Sequence, residues 1–303
     1  MGRSKNDGLF CAKEFACTSS MFLVARSCLF RLKSSPPKGD LPVEEAREVI
    51  GGLAPLSPSF VSVTYSAGGS GNSSRTIDVA KMAQDEYGLN MMAHLTCMNA
   101  DRAGIDSVLV SMKAAGIENV LSLRGDAVPG ATPKDFRFAK DLIPVAREAG
   151  FCVGAAAYPE GHIDCLDFDE SIRHLKEKQD AGAQFFVTQL FFDNNLALRF
   201  LDAARKAGIT VPITFGIMPF LSKAQIQRMV FMCGASLPSP IIKLLARYED
   251  DPKALRQAGI DYACQQFVGL SKEGVDGLHV YTMNRPDIAQ AAVQALRDAG
   301  AIA

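Results

Sequence analysis

The chain has 303 residues, of which 48% are apolar and 21% are charged, so it can form one large α/β domain or two small ones. Its 32 basic and 33 acidic residues create no net field for nucleic acid or an anionic membrane, which favours a small-molecule ligand. Eight cysteines without CxxC spacing argue against a disulfide framework and a structural zinc site, and indicate a cytoplasmic protein with reduced thiols.

The first 35 residues differ in pattern from the rest of the chain. A short apolar run ends at Arg26, which is too short for a membrane span and poorly shaped for a signal peptide. Three of the eight cysteines lie in the first 28 residues, and the segment shows neither strand alternation nor helix capping. We therefore treat 1–35 as an atypical segment, 36–303 as the folded domain, and expect no membrane partner.

From residue 41 onward, short apolar runs alternate with amphipathic stretches. We predict strands at 60–65, 91–95, 118–123, 152–157, 184–189, 212–217 and 277–282, a first strand near 29–34, helices between them, and an extra helical stretch at about 238–269. Gly116, Gly150, Gly182 and Gly208 each stand between a helix and the next strand, as helix-ending glycines do. Four such junctions predict a βαβα series with a mostly parallel sheet.

The number of strand and helix units favours a (β/α)8 TIM barrel, whose usual size is about 250 residues. The alternative is an open doubly wound sheet with a dinucleotide fingerprint, in which an acidic residue follows the glycines by about 20 positions. The Gly-rich stretch at 66–76, "SAGGSGNSSRT", has the wrong spacing and no such acidic residue. We interpret it as a loop that wraps a ligand.

Polar side chains follow most of the predicted strands, where a barrel places its active site. They are Thr64, Tyr65, His94, Thr96, Arg124, Gly125, Asp126, Tyr158, Glu160, His162, Gln189, Tyr281, Asn284 and Arg285. The cluster "LRGD" is the most informative: Arg124 can pair with phosphate, and Gly125 lets backbone approach a ligand. Asp126 can then lie beside the polar ring of the ligand. A surface turn with an ion pair is the alternative interpretation.

The four histidines lack metal-binding spacing, so no metal is expected. His94 fits a core residue and a ligand contact equally well, whereas His279 is predicted to belong to the core. His162 follows a proline in a loop, which favours function, and His174 is predicted to lie on a helix surface. Gln189 ends an apolar strand, where an unpaired amide costs about 1–3 kcal/mol; a polar heterocycle would supply a partner.

Six motifs occur in order: "FVSVTY", "AHLTC", "LRGD", "AAYPEGH", "DAGAQFFVTQLFFD" and "YTMNRP". Together, from about residue 36 to the C-terminus, the chain resembles the catalytic domain of bacterial-type 5,10-methylenetetrahydrofolate reductases. The resemblance implies a (β/α)8 flavoprotein that transfers a hydride from NAD(P)H through FAD to 5,10-methylenetetrahydrofolate. The product would be 5-methyltetrahydrofolate, for one-carbon metabolism and methionine synthesis. The sequence leaves open NADH or NADPH, and monomer or homo-oligomer.

The resemblance also implies roles for individual residues. Contacts with FAD are implied for Tyr65, Ala67, His94, Leu123, Arg124, Gly125, Asp126, Ala139, Tyr158, His162, His174 and Lys178. Thr64 would touch nicotinamide or flavin, and Asp126 would also meet the pterin. Gln189, Gln225 and Arg285 would hold the folate. The chain departs from the family at Ser171, His174 and Glu177, where aspartate, asparagine and arginine are usual, so its phosphate contacts are expected to differ.

The largest departure is at the first strand, which in the family ends in a pattern like Ser-Leu-Glu-Val-Phe-Pro-Pro-Lys. The family's glutamate is the general acid that helps open the folate ring to a reactive iminium. Alignment on Pro36, Pro37 and Lys38 places Lys33 at that glutamate. A general acid contributes typically about 10²–10⁴ in rate. The alternatives to a reductase are therefore a flavin- or folate-binding barrel with impaired or no catalysis, and an unrelated barrel lyase.

Codon arithmetic suggests a second explanation of Lys33. One permitted coding of residues 30–35, Phe-Arg-Leu-Lys-Ser-Ser, is TTT CGC TTG AAG TCT TCC. From the third base they read Ser-Leu-Glu-Val-Phe, which is the pattern of the family. Our hypothesis is that residues 1–35 are translated out of frame and that a slip in the proline codons restores the frame. The alternative is an authentic, divergent N-terminus.

Overall fold

The computed structural model describes residues 28–32, 43–64, 73–125 and 133–302. The strands are β1 (Cys28–Leu32), β2 (Val61–Val63), β3 (Met91–Thr96), β4 (Asn119–Leu123), β5 (Cys152–Ala157), β6 (Phe185–Thr188), β7 (Ile213–Ile217) and β8 (Gly277–Tyr281). The helices are α1 (Val43–Leu53), α2 (Ser73–Tyr87), α3 (Arg102–Ala114), α4 (Ala139–Glu148), α5 (Phe168–Asp180), α6 (Asn194–Lys206), α7 (Lys223–Cys233), α8 (Ser239–Arg247), α9 (Pro252–Lys272) and α10 (Pro286–Asp298). Helices and strands thus alternate along the chain.

The sheet is parallel throughout. Strands β2 to β8 are hydrogen-bonded in chain order, with Val61 opposite Met91 and Gly216 opposite His279 as examples of the register. Strand β1 pairs in parallel with β2 and with β8, and Phe30 is opposite Val61 on one side and Val280 on the other. The order β1 to β8 is therefore continuous. The α/β class with a parallel sheet is confirmed.

Helix-ending glycines return the chain to the sheet, as the sequence predicted. Gly116, Gly150, Gly182 and Gly208 have φ of 75°, 81°, 111° and 78°, a region that side-chain-bearing residues rarely adopt. The amide of each glycine donates to a carbonyl of the preceding helix. These ends orient each following strand in the same direction.

Apolar side chains fill both faces of the sheet. The face toward the helices carries residues such as Val63, Ala93 and Val153, which belong to the main core. The opposite face holds a separate cluster of Phe60, Met92, Leu121, Cys152, Phe185 and Val187. A Cβ on Gly154 would lie 2.3 Å from the Phe185 ring, so the glycine makes room for this ring. The amino-terminal half of the inner face is packed, which leaves the carboxyl end for polar residues.

The extra helical stretch predicted at about 238–269 consists of two helices, α8 and α9. The break occurs because Asp251 caps α9 by accepting from the amides of Lys253 and Ala254. Pro252 then occupies the first helical position, where a missing amide costs nothing.

Within the described ranges, no helix is long and apolar enough to cross a membrane.

A second apolar cluster lies beneath α7, α8 and α9, and we call it the α7–α9 cluster. Its buried members are Leu190, Phe192, Met218, Phe220, Ile226, Met229, Ala235, Ile241, Leu255 and Tyr281. Helix α9 approaches the chain after β7 so closely that a Cβ on Gly259 would lie 1.7 Å from the Phe220 oxygen. The cluster therefore fixes α7 to the carboxyl ends of β6, β7 and β8.

Candidate functional site at the carboxyl ends of the strands

Polar side chains of β2 and β3 lie above the packed inner face. Thr64 is two residues beyond Ser62, and His94 and Thr96 follow Met92 at intervals of two, so each pair points to the same face. Thr64 and His94 are buried, with 8% and 2% of their surface exposed. The Thr76 hydroxyl donates to the Thr64 carbonyl oxygen at 3.3 Å, which ties α2 to the end of β2.

The turn after β4 brings Arg124 and Gly125 to the same end of the sheet. Gly125 has φ of 89°, and a Cβ there would lie 3.1 Å from Cβ of Thr96. The Met98 amide donates to the Arg124 carbonyl oxygen at 2.8 Å, so the turns after β3 and β4 are joined. Glycine is therefore required at 125 by backbone conformation and by the close contact.

The half-buried Arg124 side chain extends toward the loop between β5 and α5. Its Nη2 atom lies 3.0 Å from Oδ2 of Asp164, and its Nε donates to the Gly125 carbonyl oxygen at 3.4 Å. A guanidinium has five donors, so other donors of this group can bind a ligand. Asp164 is exposed and can release the arginine at little cost, since exposed ion pairs contribute typically about 0–1 kcal/mol.

Tyr158 and His162 form the wall of this region. Their ring centroids are 4.7 Å apart at an angle of 80°. Nδ1 of His162 accepts from the Asp164 amide at 3.0 Å, which leaves Nε2 as the protonated nitrogen of the neutral ring. Burial lowers the pKa of His162, and the nearby charge of Arg124 lowers it further. His162 is therefore a neutral donor near pH 7.

Lys178 of α5 completes the wall. Its Nζ donates to the Ala156 carbonyl oxygen at 2.8 Å and lies 5.2 Å from the centre of the Tyr158 ring. Burial lowers the pKa of Lys178 to about 8. A desolvated ammonium gains from an anionic ligand, because the ligand offsets the lost hydration. We call Arg124, His162 and Lys178 the basic group.

Helices α4 and α5 carry the predicted residues that lie farther from the strand ends. Ala139 is buried at the first position of α4. His174 lies exposed on α5, as predicted, with Nδ1 at 3.2 Å from Oε2 of Glu177. That carboxylate also pairs with Lys140 at 2.7 Å, and this hydrogen bond lowers the pKa of Glu177. Two of the three positions at which the chain departs from the family, His174 and Glu177, therefore belong to a surface ion-pair network with Lys140.

The neighbouring part of the site, from β6 onward, presents two amides. Gln189 follows β6, and its Oε1 accepts from the Leu190 amide at 3.0 Å. Backbone thus satisfies the oxygen for which the sequence suggested a heterocycle as partner. Gln225 of α7 accepts from the Leu221 amide at 2.6 Å and contacts Sδ of Met283 through Nε2 at 2.8 Å. We call Gln189 and Gln225 the amide pair.

The turn after β8 carries the predicted folate residue Arg285. Met283 and Asn284 both have positive φ, of 52° and 59°, and the Arg285 amide donates to the Thr282 carbonyl oxygen at 3.0 Å. Arg285 is exposed at the start of α10. Met283 therefore links Gln225 to the turn that presents Arg285.

Tyr281 and His279 form the base of this side. The Tyr281 hydroxyl donates to the Thr188 carbonyl oxygen at 2.5 Å, and a Cβ on Gly216 would lie 2.6 Å from that hydroxyl. Tyr281 thus spans from β8 over β7 to β6. His279 is buried between Phe60 and Tyr281, with ring centroids at 6.0 and 5.1 Å, which confirms its prediction as a core residue.

Sequence reasoning missed two members of the site. Asp164 follows the predicted His162 by two positions and is the ion-pair partner of Arg124. Nothing in the sequence around Asp164 indicated that it would pair with this arginine. Met283 stands inside the motif "YTMNRP" and could have been found there. Lys33, Tyr65, Ala67 and Asp126 lie outside the described residues. No group of three metal-binding side chains occurs in the part of the chain that the structure describes.

Comparisons with known proteins agree on one family. The sequence profile described as "Methylenetetrahydrofolate reductase" matches residues 22–297, a range that begins upstream of the motifs. The chain is 35% identical over 257 residues to 5,10-methylenetetrahydrofolate reductase of Pectobacterium carotovorum, covering 84% of this chain and 86% of that protein. It is 37% identical over 234 residues to methylenetetrahydrofolate reductase 1 of Schizosaccharomyces pombe, covering 75% of this chain and 39% of that protein. The chain thus spans well under half of the yeast relative.

Two solved structures share the fold at low sequence identity. One is a Clostridium thermocellum protein described as binding two copies of 5-methyl-5,6,7,8-tetrahydrofolic acid, with a TM-score of 0.63 and 14% identity, covering 90% of this chain and 96% of that one. The other is 2,3-dimethylmalate lyase, with a TM-score of 0.51 and 10% identity, covering 90% and 81%. At such identities the likeness concerns the fold alone.

Proposed function

Because the chain belongs to the methylenetetrahydrofolate reductase family, we propose that it reduces 5,10-methylenetetrahydrofolate to 5-methyltetrahydrofolate with NAD(P)H and FAD. The observation that carries this proposal is the division of the site. The basic group lies around the ends of β4 and β5, whereas Gln189 follows β6 and Gln225 of α7 contacts Met283 in the turn after β8. An anionic cofactor suits the first side, and a polar heterocycle suits the second.

The residues on the basic side fit FAD. Arg124 and the desolvated Lys178 would hold the diphosphate, since guanidinium and ammonium groups are the usual phosphate partners. Gly125 lacks the side chain that would fill the space beside Thr96, and Tyr158 and His162 would flank the cofactor. When bound, FAD supplies a two-electron carrier between NAD(P)H and the folate. Tyr65, Ala67, His94, Leu123, Asp126, Ala139 and His174 complete the proposed contacts.

The residues on the amide side would hold the reacting partners. An amide both donates and accepts, so Gln189 and Gln225 can bind nicotinamide and pterin in turn at one place. Thr64, at the end of β2, would touch nicotinamide or flavin. Asp126 would contact the pterin. Arg285, exposed on the turn after β8, would pair with a carboxylate of the glutamate tail. Each residue thereby orients a substrate against the cofactor.

We also propose a full (β/α)8 barrel in a cytoplasmic setting. Support for the barrel comes from the parallel pairing of β1 with both β2 and β8. Support for a reducing compartment comes from the five described cysteines, which are all free thiols. Cys97 is buried, and burial raises the pKa of its thiol to about 11, so this cysteine is chemically inert.

A second function is favoured by Lys33. In this alternative the chain binds flavin and folate, but the cation at the position of the family's general acid prevents rapid folate reduction. NAD(P)H oxidation by the cofactor requires no such acid and would continue. If residues 1–35 are out of frame, the natural protein carries glutamate there, and sequencing the gene across the proline codons reveals a broken reading frame. An unbroken frame through residues 1–40 would refute the frame hypothesis.

Flavin content and turnover test the proposed function. The purified protein should be yellow and contain about one FAD per chain, and NADH or NADPH should bleach it without oxygen. Steady turnover with 5,10-methylenetetrahydrofolate identifies a reductase. Bleaching without folate turnover identifies the second function. A colourless protein that gains no FAD on reconstitution would contradict both.

A further inference from the structure

One carboxylate joins the loop after β5 to the connector between α7 and α8. Glu160 accepts from the Ser236 amide, at 3.0 Å to Oε2 and 3.2 Å to Oε1. The same two segments meet at a second point, since a Cβ on Gly234 would lie 3.6 Å from Cβ of Ile163. Glu160 is half-buried, whereas Ser236 is exposed. Glu160 is among the polar residues predicted to follow β5, but neither it nor Ser236 was given a role.

The loop side of this contact belongs to the basic side of the site. Glu160 stands between Tyr158 and His162, and the intervening Gly161 has φ of 88° and donates to the Tyr158 carbonyl oxygen at 3.0 Å. The next turn is closed by the Cys165 amide, which donates to the His162 carbonyl oxygen at 2.7 Å. Two successive hydrogen-bonded turns thus contain Glu160 and His162, so the position of Glu160 constrains that of His162.

The connector side belongs to the amide side of the site. Gly234 ends α7 with φ of 66°, and the adjacent Ala235 is buried in the α7–α9 cluster together with Ile226 and Met229. Ile226 follows Gln225 directly on α7, and Met229 lies about one helical turn beyond it. The connector thus cannot shift freely without disturbing the helix that presents Gln225. Glu160 contacts the residue that immediately follows this anchor.

We propose that Glu160 is a positioning residue that holds the connector 234–238 against the loop 158–167. It thereby sets the distance between the basic group and Gln225. Hydrogen bonds to a charged acceptor are about twice as strong as neutral ones, so one carboxylate can stabilise this junction of two surface segments. Its effects on cofactor and folate rest on the proposed function, whereas the junction itself does not.

Three variants test the junction: Glu160→Ala removes the acceptor, Glu160→Gln keeps one acceptor oxygen without charge, and Ser236→Ala keeps the backbone donor. Amide exchange measured on the cofactor-free protein should be about tenfold faster at Ser236 in Glu160→Ala, which corresponds to roughly 1.4 kcal/mol. Glu160→Gln should lie between this variant and the wild type. Ser236→Ala should match the wild type, because only its hydroxyl is lost.

The same variants connect the junction to function. With flavin fluorescence and steady-state kinetics, Glu160→Ala should bind FAD about fivefold more weakly and raise KM for the folate, with kcat within about twofold, and Glu160→Gln should recover most of both. Unchanged exchange in Glu160→Ala, or equal effects of Ser236→Ala, would overturn the proposal. If Glu160→Ala does not fold, faster exchange in Glu160→Gln supports it and wild-type exchange overturns it. A wild type without FAD refutes the proposed function, while the exchange result still decides the junction.

Discussion

The two sides of the site are held in place by different forces. On the basic side, Arg124 and Lys178 are fixed by an ion pair and by a hydrogen bond to a carbonyl oxygen. On the amide side, the Gln225 side chain contacts the Leu221 amide and Met283, and the helix that carries it packs on the α7–α9 cluster through Ile226 and Met229. An exposed ion pair can be exchanged for ligand contacts, whereas a helix anchored by packed side chains keeps its position.

This difference indicates how one site can serve three molecules. A cofactor that stays bound gains binding free energy from charged side chains that have only weak partners in the free protein. Two substrates that bind in turn are bound more tightly by a rigid surface, because the protein does not have to reorganise each time one replaces the other. Substitutions on the basic side should therefore change cofactor affinity, and those on the amide side should change folate KM.

The largest effect is expected at Lys33, which should affect the folate step alone. Lys33→Glu supplies a general acid, so single-turnover oxidation of the reduced flavin by 5,10-methylenetetrahydrofolate should accelerate by about 10²-fold or more. Reduction of the flavin by NAD(P)H should stay within about twofold. Lys33→Gln is the matched control, which removes the cation without supplying an acid. Equal folate rates in the glutamate and glutamine variants would refute the role of the acid.

On the basic side, Arg124→Gln should weaken FAD binding by about 30-fold, because a charge-assisted phosphate contact contributes about 1.5–3 kcal/mol. Arg285→Gln removes the same charge on the other side and should leave FAD affinity unchanged while raising KM for the folate. Titration of the cofactor-free proteins with FAD, followed by flavin fluorescence, provides both values. Similar losses of FAD affinity in the two variants would remove the distinction between the sides.

On the amide side, Gln225→Leu should raise KM for the folate about tenfold and leave FAD affinity within about twofold. Leucine preserves the packing volume but removes the acceptor for the Leu221 amide and the donor toward Met283. Gln225→Glu keeps the acceptor for the Leu221 amide. It should therefore recover the part of the KM increase that comes from loss of this hydrogen bond. Steady-state kinetics at fixed NAD(P)H gives the KM values. A change in kcat without a change in KM would contradict a binding role.

The smallest effect is a pH dependence from Lys178, whose pKa is lowered to about 8 by burial. FAD affinity should fall severalfold as pH rises from 7 to 9, because the free protein loses the ammonium that phosphate requires. The free energy of unfolding of the cofactor-free protein should increase between pH 8 and 10.5. There the unfolded chain binds more protons than the folded one, so stability rises with pH. In Lys178→Met, both pH-dependent steps should disappear.

The sequence predicted the elements well because their signals are local. All seven strands predicted from 60–65 onward are present with ends within two residues of the prediction, and the four helix-ending glycines have the positive φ that their positions required. Asp251 and Pro252 show where local reasoning failed. Asp251 as the cap and Pro252 at the first helical position separate α8 from α9. The amphipathic periodicity of the sequence continues across these two residues and therefore predicted a single helical stretch.

The contacts within the site were less predictable. Arg124 and Asp164 are 40 positions apart, and Glu160 and Ser236 are 76 apart; no spacing rule connects residues across different loops. The strand ends showed which residues share an edge, but not which of them touch. Gln189 illustrates this limit, since its oxygen is satisfied by the next amide in the chain.

The proposal that this chain reduces folate is tested most directly by one stopped-flow measurement. The protein is reduced anaerobically with one equivalent of NAD(P)H and mixed with 5,10-methylenetetrahydrofolate, and the return of flavin absorbance is followed while 5-methyltetrahydrofolate is quantified. The account predicts stoichiometric product, with a rate that increases in Lys33→Glu. Return of the absorbance without product, or no return in either protein, would contradict it.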